Sequence, residues 1–387
     1  MEPLERLPNI IRLSERVVRV LGLNPNKFTL QGTNTYLIGK GPKKVLLDTG
    51  EGIPEYIPLL QEALDKEPSN EEGERATIAK VICSHWHHDH VGGIQDVLSF
   101  LAARNIQLHN PPATAADAGS TAPTTTNTKA TKGLVDIDTS ISSAPTGVFK
   151  FPCPDQDDPE TRFQAIQDHQ VIQVDDQTTL LTLHTPGHTS DHCSFFLKEE
   201  NTLFTADCVL GQGTAVFEDL GSYIRSLEKQ LSFSEASVVP KSLSLREPSY
   251  KIYPGHGPII EDGPAKIREY IKHRFERERQ VIAVLTSGSS SSDVGDAGLG
   301  TSPGAGAGAG AGAGTGTGTG KTAMDIVKVI YKAYPVALHL PAQHQVLLHL
   351  KKLEEDGKVK RAAGGSGWVE DIEDVVWELA PQPQANL

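Results

Sequence analysis

The chain has 387 residues, 38% of them hydrophobic and 22% charged, so it is long enough for two or three domains with sizeable cores. A formal net charge of −13 argues against a broad nucleic-acid-binding surface, although it allows a local basic face. The sequence shows no apolar run of membrane-spanning length and no evident secretory or mitochondrial signal, so we expect an intracellular protein without membrane contact. Cysteines without disulfide-like spacing predict buried thiols in a reducing compartment, the cytoplasm or the mitochondrial matrix: Cys83, Cys153, Cys193 and Cys208.

Strand and helix signals alternate in the first part of the chain. Residues 17–48 predict strand, turn and strand, because β-rich apolar runs are separated by Asn, Pro and Gly. Helical apolar spacing follows in IPEYIPLLQEALDKE, then a short apolar strand in IAKVICS and a second helix in GGIQDVLSFLAARN. This order predicts an α/β fold with its functional site at the carboxyl ends of strands.

Two low-complexity segments interrupt the later elements. Residues from about 111 to 146 are rich in Ala, Thr, Gly and Pro, which predicts a disordered surface insertion. Strands are predicted again at HQVIQVD, TTLLTLHT, CSFFLKEE and NTLFTADCVL, and helices at LGSYIRSLEKQL and PAKIREYIKHRFERERQVIAVL. Residues 287–320 predict a flexible Gly/Ala/Ser/Thr-rich linker. A phosphate-binding loop ending at Lys321 is disfavoured, because Thr315 stands where that motif needs glycine.

The predicted organisation is therefore a domain over residues 1–286, the linker over 287–320 and a C-terminal domain over 321–387. Two helical patterns and a small terminal hairpin or strand make the C-terminal domain similar to a winged helix.

The stretch SHWHHDHVGG packs four histidines and one aspartate into six consecutive positions. Burying these groups without a metal is costly, whereas imidazole and carboxylate are common ligands of divalent metals. On an extended loop, residues two apart point the same way, so His85 and His87 can share one metal. Asp89 and His90 can then reach a second metal, and His88 is predicted to be a spectator.

The missing ligands are expected at later strand ends. His188 lies in a loop directly after an apolar strand in HTPGHTSDH, Asp207 ends the strand in LFTADCVL, and His256 stands between glycines in IYPGHGP. Together they complete two metal sites, with the open position that a catalytic rather than structural zinc keeps. His192 either supports a ligand or protonates a leaving group, and His184 is expected to pack on its strand.

These motifs, above all HxHxDH at residues 85–90, resemble the metallo-β-lactamase superfamily. The resemblance implies an αββα sandwich, and it assigns Asp48 in VLLDTG as the aspartate that orients the site. True zinc β-lactamases often carry Cys where this chain has Asp207, which argues against a β-lactam substrate. The resemblance also implies two zinc ions, one held by His85, His87 and His188, the other by Asp89, His90 and His256, with Asp207 bridging.

Two zinc ions that share a water molecule lower its pKa toward roughly 7 and stabilise the developing oxyanion. The expected nucleophile is therefore a metal-bound hydroxide. Asp89 is expected to act both as a ligand and as the acceptor that orients this hydroxide. The sequence shows no Ser or Cys triad that would offer another nucleophile.

Beyond the metal motifs, the chain resembles the β-lactamase-like protein 2 family, which implies an endoribonuclease acting on single-stranded RNA. Stretches that carry this likeness include LGLNPNKFTLQGTNTYLIG, SHWHHDHVGGI, ADCVLGQGTAVFEDL and the tail around HQVLLHLKKLEEDGKV. A sister branch is almost as similar: fungal thioesterases that release polyketides from an acyl carrier protein. The expected partner is therefore single-stranded RNA or, alternatively, an acyl carrier protein.

Charge does not decide between these partners. Residues 264–361 contain fourteen Lys and Arg against nine Asp and Glu, which suits RNA phosphates and equally suits an acidic carrier protein. The YPGHGP form and the Arg/Lys-rich helix favour the ribonuclease branch. A binding module that has lost catalytic turnover is disfavoured, because such a protein would lack a metal ligand and every ligand is present here. A glyoxalase-type thioesterase is also disfavoured, because its resemblance does not extend to the C-terminal tail. Manganese or iron could replace zinc, and the oligomeric state stays open.

Overall fold

The chain forms two compact units, Met1–Tyr270 and Ile271–Leu387. The expected insertion at residues 111–146 lies outside the described residues, and so does the expected linker except for its two end positions. No helix in the described part of the chain is long and apolar enough to cross a membrane. The computed structural model describes residues 4–67, 73, 75–103, 147–237, 249–287, 320–362 and 374–381.

Seven strands form the first sheet, and they lie side by side in their chain order. They are β1 (Ile10–Arg12), β2 (Val17–Leu21), β3 (Asn34–Ile38), β4 (Lys43–Leu47), β5 (Thr77–Cys83), β6 (Val148–Lys150) and β7 (Phe163–Ala165). The first four pair antiparallel, whereas β4 to β7 pair parallel. The parallel strands therefore end at one edge of the sheet, where β5 leads into the histidine stretch.

Helices cover the outer face of this sheet. Helix α1 (Tyr56–Asp65) connects β4 to β5, as a parallel pair requires, and α3 (Ile94–Ala103) follows the one-turn helix α2 (His88–Val91). Leu60 and Leu101, both fully buried, pack in one cluster with side chains of the first sheet. Both helices predicted in this region of the chain are thus present.

The second sheet contains β8 (Val171–Asp175), β9 (Thr178–His184), β10 (Cys193–Leu197), β11 (Thr202–Ala206) and β12 (Lys251–Pro254). Its order is β12-β11-β10-β9-β8, and only β11 and β12 among these strands pair parallel. Helix α4 (Leu220–Ser237) lies on its outer face, where Gln230 Nε2 donates to Ser194 Oγ at 3.1 Å.

A single apolar layer joins the two sheets. Tyr36 and Leu47 of the first sheet cluster with Phe195, Phe204 and Tyr253 of the second. The ring centroids of Tyr36 and Phe204 are 5.0 Å apart in an edge-on contact. Side-chain alternation along β10 sends Phe195 into this layer and its neighbour Ser194 toward α4. The predicted αββα sandwich is confirmed.

The second unit is a small helical domain with a three-stranded sheet, in the order β13 (Lys321–Thr322), β15 (Val376–Leu379), β14 (Val359–Arg361). Its helices are α6 (Ala323–Ile330), α7 (His339–Glu355) and the C-terminal part of α5 (Gly263–Ser287). Thr322 begins α6 with a capping box, since its hydroxyl accepts from Asp325 N at 3.1 Å. Trp377, fully buried, belongs to the core of this unit.

Replacing Phe204 by alanine should lower the free energy of unfolding of the first unit by about 3–5 kcal/mol, because it leaves a cavity between the sheets. Chemical unfolding followed by circular dichroism measures this loss. Phe28→Ala is the control: that ring is 63% exposed, and its removal should cost less than about 0.5 kcal/mol. Equal losses in the two variants would contradict the inter-sheet core.

Candidate metal centre

Strand ends of both sheets of the first unit bring the predicted ligands together. The turn after β5 carries His85 and His87, and α2 carries Asp89 and His90. The loop between β9 and β10 supplies His188. Asp207 follows β11 directly, and His256 follows β12 after Gly255. These seven residues form two groups whose ligand atoms all lie within 4.8 Å of one another: His85, His87, His188 and Asp207, and Asp89, His90, His256 and Asp207.

Three imidazole nitrogens face one another in the first group. His85 Nε2 lies 3.0 Å from His87 Nδ1 and 3.2 Å from His188 Nε2. The remaining distance, between His87 Nδ1 and His188 Nε2, is 2.9 Å. Nitrogens bound to one tetrahedral zinc at about 2.0 Å lie about 3.3 Å apart, so the spacing fits such an ion.

Hydrogen bonds behind two of these rings place a proton on the Nδ1 atom of each. Ser84 Oγ donates to Asp48 Oδ2 at 2.9 Å, so its only hydrogen is used and it must accept from His85 Nδ1, also at 2.9 Å. His188 Nδ1 donates to the carbonyl oxygen of Val216 at 2.8 Å. With one proton on each ring, at Nδ1, both Nε2 atoms present lone pairs to each other, an arrangement that a cation satisfies and a hydrogen bond does not.

The second group combines two imidazoles with two carboxylates. His90 Nε2 lies 3.4 Å from His256 Nε2 and 3.4 Å from Asp89 Oδ2. His256 Nε2 lies 3.1 Å from the same Asp89 oxygen and 3.2 Å from Asp207 Oδ1. Nitrogen and carboxylate oxygen together form a ligand set that suits zinc and neighbouring divalent metals.

Asp207 takes part in both groups. Its Oδ1 is 3.3 Å from His90 Nε2, and its Oδ2 is 3.6 Å from His188 Nε2. Burial alone would raise the pKa of Asp207, but His256 and His90 hold it well below its usual range. The ionised carboxylate thus offers one oxygen to each group, which is the placement expected of a bridging ligand.

The two groups differ in their electrostatics. Burial lowers the pKa of His85 well below its usual range, and His90 lowers it further, so this ring is neutral at pH 7. Burial also lowers the pKa of His256, but Asp207 and Asp89 together outweigh it and the pKa rises to about 9. A cation in the second group would therefore displace protons, because ligand imidazoles must be deprotonated.

Asp48 lies directly behind both groups, as an orienting residue should. Its Oδ2 is 2.8 Å from His90 Nδ1, and its Oδ1 accepts from Ser84 N at 2.7 Å. The residue has a φ of +61°, in the left-handed region that costs a non-glycine residue about 1–3 kcal/mol. This unusual backbone turns the carboxylate from the end of β4 toward the histidines.

The remaining histidines of the two motifs lie apart from the ligand atoms. His192 is fully buried, its Nδ1 is 2.9 Å from Thr185 Oγ1, and its Nε2 makes no hydrogen bond with any described residue. Its ring centroid is 5.3 Å from that of His85, so its proton-donor role stays a prediction. His88 is exposed, and His184 stacks on Phe151 with centroids 3.9 Å apart.

Sequence reasoning missed Asn34, which supports the His256 loop. Its Nδ2 donates to the carbonyl oxygens of Pro254 and Gly257, each at 2.9 Å, and its own N donates to Gly255 O at 2.7 Å. Asn34 is buried as the first residue of β3. A polar residue opening an otherwise apolar strand is a weak signal, and its partners lie more than two hundred positions away.

Comparison with known families agrees with this geometry. A model of the Metallo-beta-lactamase superfamily matches residues 28–122 and 128–256, more than half of the chain. A model of the Beta-lactamase associated winged helix domain matches residues 322–368, which confirms the winged-helix prediction for the C-terminal domain. The chain belongs to the metallo-beta-lactamase superfamily, a family of metal-dependent hydrolases.

Within the superfamily, the chain is similar to a Beta-lactamase-like protein 2 homolog of Drosophila melanogaster, with 34% identity over 361 residues, 92% of this chain and 93% of that relative. An Atrochrysone carboxyl ACP thioesterase of Aspergillus chevalieri is 37% identical over 280 residues, 72% of this chain and 68% of that relative. A solved beta-lactamase domain protein from Burkholderia ambifaria shares the fold, with a TM-score of 0.60, 14% identity and coverage of 97% of this chain and 96% of its own.

Gly255→Ala should lower the metal content of the purified protein, because a Cβ there would lie 2.3 Å from Asp207 Oδ1. Elemental analysis of the folded protein measures the loss, and the expected result is less than half of the wild-type metal. Gly41→Ala is the control, since its nearest new contact, at 3.5 Å, is ordinary. Full metal occupancy in folded Gly255→Ala would argue against Asp207 as the shared ligand.

Asp48→Asn should weaken zinc binding by about 10–100-fold, the usual effect of removing a group that orients a ligand histidine. Competition with a chromophoric chelator measures the affinity. Asp176→Asn, which changes an exposed carboxylate in the same unit, should leave the affinity unchanged. Wild-type affinity in Asp48→Asn would show that the contact with His90 is dispensable.

Proposed function

We propose that this protein is a binuclear zinc hydrolase that cleaves single-stranded RNA. The two ligand groups that share Asp207 support the binuclear centre. The full-length likeness to beta-lactamase-like protein 2 homologs supports the choice of branch, because it includes the C-terminal part of the chain. RNA is proposed as the substrate because the sequence resembles that family.

Zinc is the proposed metal because nitrogen ligands dominate the first group, and its spacing is close to a tetrahedral zinc site. His85, His87 and His188 would hold one ion, Asp89, His90 and His256 the other, and Asp207 both. Two zinc ions bound in this way would lower the pKa of a shared water molecule and would provide an electrophilic contact for the scissile group.

Asp89 is the proposed catalytic residue of the chain itself. Burial raises the pKa of Asp89, but the imidazole of His90 holds it well below its usual range, so the carboxylate is ionised. Its side chain is 22% exposed, more than any partner it meets in the second group. An ionised, partly open carboxylate can accept a proton from an attacking water and orient it.

The second unit offers a surface of suitable composition for RNA. Lys328, Lys332 and Lys360 are exposed, and so is Tyr334, with 56% of its surface accessible. Lysines neutralise phosphates, and exposed aromatic rings stack on unpaired bases. These features support single-stranded nucleic acid as the partner of this unit.

A thioesterase is the second candidate. The Aspergillus chevalieri relative, named for action on an ACP thioester, is slightly more identical to this chain than the Drosophila protein, although over a shorter stretch. Thioester hydrolysis needs the same polarised water and electrophilic contact. The same exposed lysines would then meet an acidic carrier protein.

A reducing intracellular compartment, the cytoplasm or the mitochondrial matrix, is the proposed location. All four cysteines are free and buried. Burial raises the pKa of the Cys83 and Cys193 thiols far above their usual value, so neither is a ready nucleophile.

The direct test is a pair of turnover assays on the zinc-loaded protein, one with a single-stranded RNA oligonucleotide and one with an acyl-carrier-protein thioester. RNA cleavage is expected, and Asp89→Ala should reduce it by about 10²–10⁴-fold, because it removes the acceptor for the attacking water. His88→Ala, the neighbouring exposed histidine, should keep wild-type turnover.

Hydrolysis of the thioester in one assay, without cleavage of RNA in the other, would show that the protein is a thioesterase. Unchanged turnover in folded Asp89→Ala would contradict the mechanism for either substrate.

A further inference from the structure

A buried ionic cluster lies beside the first ligand group. Lys150, the last residue of β6, has its Nζ 2.6 Å from Asp191 Oδ2 and 2.6 Å from Asp157 Oδ1. The Lys150 and Asp191 side chains are 1% and 0% exposed. The Lys150 ammonium donates to Asp191 Oδ2 and also to the carbonyl oxygen of Phe151, the latter at 2.9 Å, whereas Asp157 meets it as an ion-pair partner.

A buried ionic cluster of this kind contributes little net free energy to the stability of the fold. Two charges removed from water recover their desolvation cost only with near-ideal geometry, and an apolar replacement is often as stable. Burial lowers the pKa of Lys150, but Asp191 and Asp157 together outweigh it and the pKa lies above its usual value, so the charge persists. A buried charge retained in this way fixes the relative position of the parts that it joins.

The parts joined here are the two sheets, at the loop that supplies His188. Asp191 belongs to the loop between β9 and β10, whereas Lys150 belongs to the first sheet, where it pairs with Cys83 at the end of β5. The other oxygen of Asp191 accepts from Thr189 Oγ1 at 2.7 Å, next to His188. A backbone bond from Cys193 N to Ser84 O, 2.8 Å long, joins the same two elements.

The first ligand group depends on that junction. It takes His85 and His87 from the turn after β5 but His188 from the second sheet, so a small shift between the sheets separates the three nitrogens. We propose that Lys150 and Asp191 are positioning residues that hold the His188 loop against β5 and thereby set the metal affinity of the first ligand group. This inference rests on metal binding by the two groups and is independent of the substrate.

The chain provides a matched control pair. Lys44 Nζ lies 2.9 Å from Glu67 Oε2, and these side chains are 3% and 4% exposed. Lys44 also belongs to the first sheet, but it lies near the start of β4, about 13 Å along the strand from Asp48. Lys44→Met therefore breaks a buried ion pair of the same kind away from the ligands.

The experiment titrates zinc alone into the full-length, chelator-stripped protein in a calorimeter. Wild-type protein should show two binding events, and His188→Ala identifies the event that belongs to the first group. Lys150→Met should weaken this event by about 10–100-fold and leave the other within about threefold. Lys44→Met should lower the unfolding midpoint but change neither event.

Asp191→Asn provides the second variant, because it keeps the side-chain volume and removes the charge. It should weaken the first-group event in the same direction, and it carries the test if Lys150→Met does not fold. Lys150→Arg, which keeps the charge, should recover part of the affinity.

Wild-type zinc affinity in folded Lys150→Met or Asp191→Asn would overturn the proposal, as would equal weakening of both events or the same effect in Lys44→Met. A wild-type protein with no zinc binding event would instead overturn the proposed binuclear centre itself.

Discussion

The shared carboxylate of Asp207 is the feature on which the rest of the metal centre depends. A buried carboxylate is costly unless positive charge surrounds it, and here imidazoles from both ligand groups approach its two oxygens. Gly255, with no side chain, leaves the space that this carboxylate occupies. His256 and His90 of the second group thus stabilise the ionised carboxylate that the first group also uses.

The sandwich brings strand ends from its two sheets together at one edge. The ligands before residue 100 follow β5 of the first sheet, and the later ones follow strands of the second. Packing of Tyr36 against Phe204 and Tyr253 fixes the spacing between the sheets over the bulk of their faces. Polar contacts of Asn34, and of Lys150 with Asp191, fix it at the edge where the ligands lie. Hydrogen bonds of defined direction add to this packing a constraint on the relative position of the two edges.

The candidate metal ligands all lie in one of the two compact units. The first unit contains the complete set of ligand residues, and its neutral and proton-bearing histidines prepare two sites with different electrostatics. The second unit presents exposed lysine and tyrosine side chains, and the proposed contact with RNA or with a carrier protein rests on them.

The sequence by itself determined the candidate ligands, the α/β class and the winged-helix-like domain, because these follow from local patterns: HxHxDH, histidines and aspartates after apolar runs, and helical spacing. The αββα arrangement came from the resemblance of these motifs to a known superfamily. Strands β6 and β7, three residues each, could not be predicted, since so short a run is stabilised only by its neighbours. Only the tertiary structure placed both oxygens of Asp207, buried His192 beneath the ligands, and paired Lys150 with Asp191. Those contacts join residues far apart in the chain, and local patterns carry no information about such pairs.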